Sequence, residues 1–161
     1  MSSYGDRTEQ PTTYHGNCHC GLIMFTVTLP NPLNQSLITS CNCSICTRNG
    51  YLIVATKTEN ITWYAGEALL RTYRFGNRNR VHKFCHQCGT SVLMDGSEDK
   101  RAIFQDKTFL NIRTFVGIEE QLPTLSFGVT NGRGRRKQYE EPWEKVHEEM
   151  LRAEEETRRC C

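Results

Sequence analysis

Cys41-Asn42-Cys43-Ser44-Ile45-Cys46 places three thiols within six residues, close enough in the chain to converge on one metal ion. Soft thiolate ligands select zinc or an iron-sulfur cluster over hard cations. A zinc held by three protein ligands keeps its fourth position for water or substrate. The segment therefore reads as an open, catalytic kind of site, and the rest of the chain as the frame around it.

Two further thiol clusters flank it. Tyr14-His15-Gly16-Asn17-Cys18-His19-Cys20-Gly21 sets two thiols one residue apart beside glycines that permit tight turns. Cys85-His86-Gln87-Cys88-Gly89-Thr90 carries Cys-x-x-Cys-Gly between two apolar runs, the signature of a zinc knuckle, whose glycine lets backbone amides fold toward the sulfurs. Seven thiols do not divide into two closed four-thiolate sites. One sorting is a zinc ribbon of Cys43 and Cys46 with Cys85 and Cys88, the others being buried thiols. The second puts Cys18, Cys20, Cys85 and Cys88 on a closed site and Cys41, Cys43 and Cys46 on an open one. Spacing leaves both standing.

Between the clusters the chain alternates short apolar runs with turn residues, which predicts a mainly β protein. Residues 22–29 are β-branched and apolar and are stopped by Pro30 and Pro32. Strands are expected at 37–40, 51–55, 61–64, 69–75, 80–84, 91–94, 109–114 and 125–129, arranged as antiparallel sheets. A helical turn over 44–48 should end at Asn49-Gly50. Residues 131–137 are rich in Gly and Arg and read as loop. Pro142 opens a helix over 143–158 that either packs through Trp143, Val146, Met150 and Leu151 or frays in water. The expected organisation is a flexible lead-in at 1–13, a zinc domain at 14–135 and a charged helical tail at 136–161.

A chain of 161 residues suits a single core. Nine cysteines would suit a disulfide-bonded secreted protein, but the polar opening offers no apolar export segment. We therefore expect metal ligation in a reducing, cytoplasmic compartment. No run approaches the roughly 20 apolar residues of a membrane helix. The net charge of +2 hides an asymmetry: from Lys137 onward five cations face eight Glu, leaving the first 136 residues at a net +5. The small net charge argues against nucleic acid as the main partner, and the modestly basic body suits a small anionic molecule at least as well as it suits phosphates.

In order, the motifs Gly-x-Cys-x-Cys-Gly, Cys-x-Cys-x-x-Cys and Phe-Cys-x-x-Cys-Gly-Thr resemble the glutathione-dependent formaldehyde-activating enzyme family over about residues 14–129. Cys-Asn-Cys-Ser-Ile-Cys is especially similar to centromere protein V, a eukaryotic relative. The resemblance implies an Mss4-like fold, with β-sheets around two zinc ions per chain. A structural zinc would sit on Cys18, Cys20, Cys85 and Cys88, and a catalytic zinc on Cys41, Cys43 and Cys46. The family's named reaction joins formaldehyde to glutathione, giving S-hydroxymethylglutathione, and is formally a carbon-sulfur lyase run in reverse. Many bacterial members carry His or Arg after the first central cysteine, whereas this chain has Asn42, and Thr47-Arg48-Asn49-Gly50 follows Cys46. Both departures border the open site, where substrate choice is made.

Asn42, Ser44 and Arg48 are expected to contact substrate because their neighbours hold the metal. His82 and His86 read either as a fourth ligand or proton carrier, or as solvent-facing histidines of a turn; His19 should point away from the metal. Arg71, Arg74, Arg78, Arg80 and Lys83 either attract the carboxylates of a glutathione adduct or form a solvated strand face. Cys160 and Cys161 read as free tail thiols. The expected function is a zinc-dependent carbon-sulfur lyase acting on glutathione, or on another thiol adduct of a small aldehyde or activated carbon. The alternatives are a non-catalytic zinc interaction module like centromere protein V, or a zinc-dependent isomerase or dehydratase of a non-thiol metabolite. Arg7 is the lone basic residue of the lead-in, which weighs against the interaction module.

Overall fold

The computed structural model describes residues 10–74, 76, 79–134 and 142–159. Most of the expected lead-in, Arg78, Cys160 and Cys161 lie outside the described residues. Among the described residues ten strands follow one another: β1 (Thr12–Asn17), β2 (Met24–Leu29), β3 (Ile38–Cys41), β4 (Leu52–Lys57), β5 (Ile61–Ala65), β6 (Leu70–Tyr73), β7 (Val81–Cys85), β8 (Ser91–Asp95), β9 (Lys107–Asn111) and β10 (Phe127–Thr130). Three helices join them: α1 (Ser44–Asn49), the short α2 (Ile118–Gln121) and α3 (Pro142–Arg159). No described helix is long and apolar enough to cross a membrane.

The strands form a three-stranded sheet, β1-β2-β5, and a seven-stranded sheet, β10-β3-β4-β9-β8-β7-β6. The mainly β expectation holds, with one correction: β10 runs parallel to β3, with Thr130 opposite Cys41. Parallel neighbours need a long crossover, and here β10 returns to β3 from more than eighty residues downstream. β1 begins at Thr12, which pairs with Leu29, so the sheet starts two residues before the expected start of the zinc domain at residue 14.

The main core draws on both sheets. Phe25, Val27 and Leu29 of β2 share one cluster with Ile38, Val54, Val92 and Leu110 of the large sheet. Each such fully buried side chain contributes about 1.5–3 kcal/mol relative to exposure. Phe25 lies against Trp63, ring centroids 5.4 Å apart, and a side chain at Gly16 would run into the Phe25 ring, so only glycine lets β1 pass over it.

Two elements prepare the site. α1 follows β3 directly and stops at Gly50, whose positive φ of 61° supports the amide bond back to Cys46 O. Asn111 ends β9 and turns the chain: its side chain accepts from Arg113 N and Leu52 N, so the last residues expected as strand form a 3₁₀ turn instead. At the other end of the chain α3 forms, yet Trp143, Val146, Met150 and Leu151 are all exposed, Trp143 by 71%. The helix is built without burying these four.

Candidate metal centres

The chain brings seven free thiols into two groups. Cys18, Cys20, Cys85 and Cys88 have all four sulfurs within 4.8 Å of one another. Cys18 Sγ lies 3.5 Å from Cys20 Sγ, which lies 3.7 Å from Cys85 Sγ. A tetrahedron with metal–sulfur bonds of about 2.3 Å has edges of about 3.8 Å, so the donor set fits a four-thiolate ion. Two tight turns make it. Gly21 at φ 79° bonds back to Cys18 O, and Gly89 at φ 73° bonds back to Cys85 O. The Ile23 amide donates to Cys18 Sγ at 3.3 Å, and Thr90 ties the turns together by accepting from His19 N at 3.2 Å while its hydroxyl lies 3.2 Å from Cys88 Sγ.

Cys41, Cys43 and Cys46 form the second group, again within 4.8 Å. Cys41 closes β3, Cys43 caps the N-terminus of α1 and Cys46 is three residues on, a spacing that puts both helix-associated thiols on one side of the helix. The ribbon sorting is thereby excluded, because Cys43 and Cys46 gather with Cys41 and not with the knuckle.

The free thiols oppose one another's ionisation. In the four-thiol group the Leu22 amide favours the Cys20 thiolate, yet desolvation and three sulfur neighbours push that thiol up to about 12; Cys88, bonded by Thr90, is lowered to about 5. In the three-thiol group Cys43 and Cys46, together with the amides of Cys43 and Gly132, bring Cys41 down to about 2. Cys43 and Cys46 are both raised, chiefly by Cys41. Each group thus sets a lowered thiol beside a raised one, and a nearby cation favours the thiolate form.

The second group has a wall that sequence reading assigned to a loop. Gly132 lies so close that a Cβ there would fall 2.5 Å from Cys41 Sγ and 2.9 Å from Cys43 Cβ. Asn42 holds that wall: its Nδ2 donates to Asn131 Oδ1 at 3.1 Å, and its Oδ1 accepts from Arg133 N at 3.0 Å. Asn131 Oδ1 also accepts from Gly134 N at 2.9 Å. A glycine two residues past a strand was the available signal, but nothing local linked it to a thiol about ninety residues earlier.

All three thiols line a cavity of about 940 Å³, and none of the other four does. His82 lines it too. The solvent-facing expectation for His82 is corrected: it is 4% exposed, and its ring meets Tyr51 edge-on at 5.8 Å, because this part of β7 lies inside the sheet. Tyr51 is itself buried beside Cys46, and its hydroxyl pKa is raised by that burial. His86 is exposed and donates Nδ1 to Leu69 O at 3.2 Å, and His19 is exposed. Asn42, Ser44 and Arg48 border the thiols without lining the cavity; the Arg48 guanidinium donates to Ser44 O at 3.2 Å. Of the expected cations, Arg74 binds Glu98 through two hydrogen bonds, Lys83 binds Asp95 at 2.9 Å and Arg80 binds buried Asp99 at 2.8 Å. Arg71 is exposed.

Residues 13–117 match the family described as glutathione-dependent formaldehyde-activating enzyme. A crystal structure of a Rhodobacter sphaeroides protein, solved as a structural-genomics target, aligns with a TM-score of 0.58 at 25% identity, covering 71% of this chain and 99% of that one. The match to the family stops before β10 and before the Gly132 wall.

Proposed function

The chain belongs to the glutathione-dependent formaldehyde-activating enzyme family, and on that premise we propose that it is a zinc-dependent carbon-sulfur lyase acting on an adduct of glutathione, or of another thiol, with a small aldehyde or activated carbon. One observation carries the proposal: three sulfurs face a cavity that the four-thiol group does not reach. Cys18, Cys20, Cys85 and Cys88 would hold a structural zinc, and Cys41, Cys43 and Cys46 a catalytic one. Zinc in the second site would lower the pKa of a bound thiol or polarise a bound carbonyl.

In the lyase direction the adduct's C–S bond breaks, the sulfur departs as thiol, and the hydroxyl on the same carbon gives up its proton as the carbonyl forms. Synthesis is the reverse, and the balance needs no oxidant. The chain's own residues have separable parts in this. Asn42 keeps the Asn131–Gly132 segment against one side of the thiols, so substrate enters from the cavity. His82, buried in the cavity wall, is placed to hold the hydroxyl proton. Ser44 and Arg48, beside the thiols on α1, would contact the part of the substrate that reaches past the cavity rim. Such thiol chemistry suits a reducing compartment such as the cytoplasm.

The test pairs metal counting with turnover. Protein purified without added metal should contain two zinc ions per chain, and it should cleave or form hydroxyalkyl-thiol adducts with activity that chelator abolishes and zinc restores. One zinc per chain, or turnover indifferent to chelator, would overturn the proposal.

A further inference from the structure

Deepening the proposed function and resting on it, we infer that the cavity selects a thiol, or a thiol adduct, that carries an apolar body of aromatic size. The wall next to the reactive thiols is hydrocarbon. Ile53 and Met94, each 7% exposed, pack in one cluster with Cys46 and Tyr51, and Cys41, Cys43 and Phe109 pack against that cluster. Ile53, Met94 and Phe109 also line the cavity. A group attached to the reacting sulfur or carbon would therefore leave water for an apolar surface, and the gain grows with the apolar area removed.

The charges in the wall converge on one buried carboxylate. Among the described lining residues the cations are Arg80 and Arg101, and both bind Asp99, which is 1% exposed. The Arg80 guanidinium also lies over the Phe109 and Phe104 rings, at 3.7 and 4.7 Å from their centroids. Beside the three thiols and the His82 imidazole, the other polar lining residues, such as Gln35 and Asn79, carry neutral amides or hydroxyls. Arg80 and Arg101 together with Asp99 leave one net positive charge, whereas glutathione brings two carboxylates and an ammonium, and burying the charged groups left without partners is costly. A volume of about 940 Å³ also far exceeds what a one-carbon aldehyde occupies; it falls within the usual range of pockets for whole small molecules, roughly 300–1,000 Å³.

The experiment uses the full chain loaded with cobalt(II), whose thiolate charge-transfer band shifts when an added thiol enters the three-thiol site. Titrations would compare 2-phenylethanethiol, 2-mercaptoethanol and glutathione. We expect 2-phenylethanethiol to half-saturate at a concentration at least tenfold below either of the others. In Phe109→Leu that preference should shrink to threefold or less with two cobalt ions per chain retained. Glutathione binding as tightly as 2-phenylethanethiol, or more tightly, would overturn the apolar selection and leave the open lyase site standing. A fully loaded protein whose band no thiol shifts would overturn both. The ligand series on the unaltered chain decides the matter even if the variant fails to fold.

Discussion

The four-thiol and three-thiol groups are built in opposite ways. Cys20 and Cys85 are 65 residues apart, yet their sulfurs meet at 3.7 Å with only local turns around them. Cys41, Cys43 and Cys46 are neighbours in the chain, yet their surroundings come from far away: Asn131 and Arg133, bonded by Asn42, and the residues of β4, β8 and β9 that form the cavity. A metal in the first group would staple distant segments. One in the second would add little to the fold and would face space in which a molecule fits. Long-range ligands in local surroundings suit structure, and local ligands in long-range surroundings suit chemistry.

The largest expected effect is that of Cys85→Ser. Structural zinc sites contribute about 10–16 kcal/mol to folding, against a total stability of about 5–15 kcal/mol, so this variant should lose its cooperative melt by circular dichroism and aggregate. Cys46→Ser should keep it. Loss of an ion there opens no long loop in the chain, and burying a hydroxyl at a position 4% exposed costs about 1–3 kcal/mol, a shift of roughly 2–12 °C in the melting midpoint. Zinc should fall from two per chain to one and turnover should vanish. Equal destabilisation by the two substitutions would erase the contrast between the groups.

Gly132→Ala sharpens it from the other side. A methyl 2.5 Å from Cys41 Sγ has to displace either the sulfur or the segment, so zinc affinity at the three-thiol group should drop at least tenfold, in the range seen when outer-shell partners are lost. The four-thiol zinc should stay, and the melting midpoint should move less than in Cys46→Ser. Competition with a graded chelator would read the two zincs separately; unchanged release from the weaker site would mean that Gly132 is no part of it. The smallest effect is expected from Arg74→Gln. It breaks a half-exposed pair with Glu98, and such pairs contribute about 0–1 kcal/mol. Both zincs and thiol binding should be unaltered, and a weakened thiol titration would restore this strand to the binding surface.

Much of the β architecture was legible because its causes are local. Pro30 and Pro32 bound the β2 run, and Asn49-Gly50 ends α1 at a residue able to take positive φ. Cys-x-x-Cys-Gly predicted a knuckle, and Gly89 folds it as expected. Less legible was how the clusters combine: spacing admitted a ribbon of Cys43 and Cys46 with the knuckle, and family resemblance was needed to prefer the other sorting. His82 misled because flanking a knuckle says nothing of which face of β7 is buried. The Gly/Arg-rich stretch is, over its described residues 131–134, the loop that its composition signals, but composition carries no record of what the loop touches.

What the sequence determined by itself was the supply of parts: soft ligands at chelating intervals, strands of the right length, and glycines where the backbone must turn sharply. These follow from donor chemistry and steric limits acting within a few residues. Tertiary structure alone decided that Cys18 and Cys20 meet Cys85 and Cys88, that β10 lies parallel to β3 and carries Gly132 to Cys41, and that the open group faces apolar side chains of β4, β8 and β9. Those outcomes depend on which pairing of strands buries the most apolar surface at once, a sum over the whole chain that no short stretch contains.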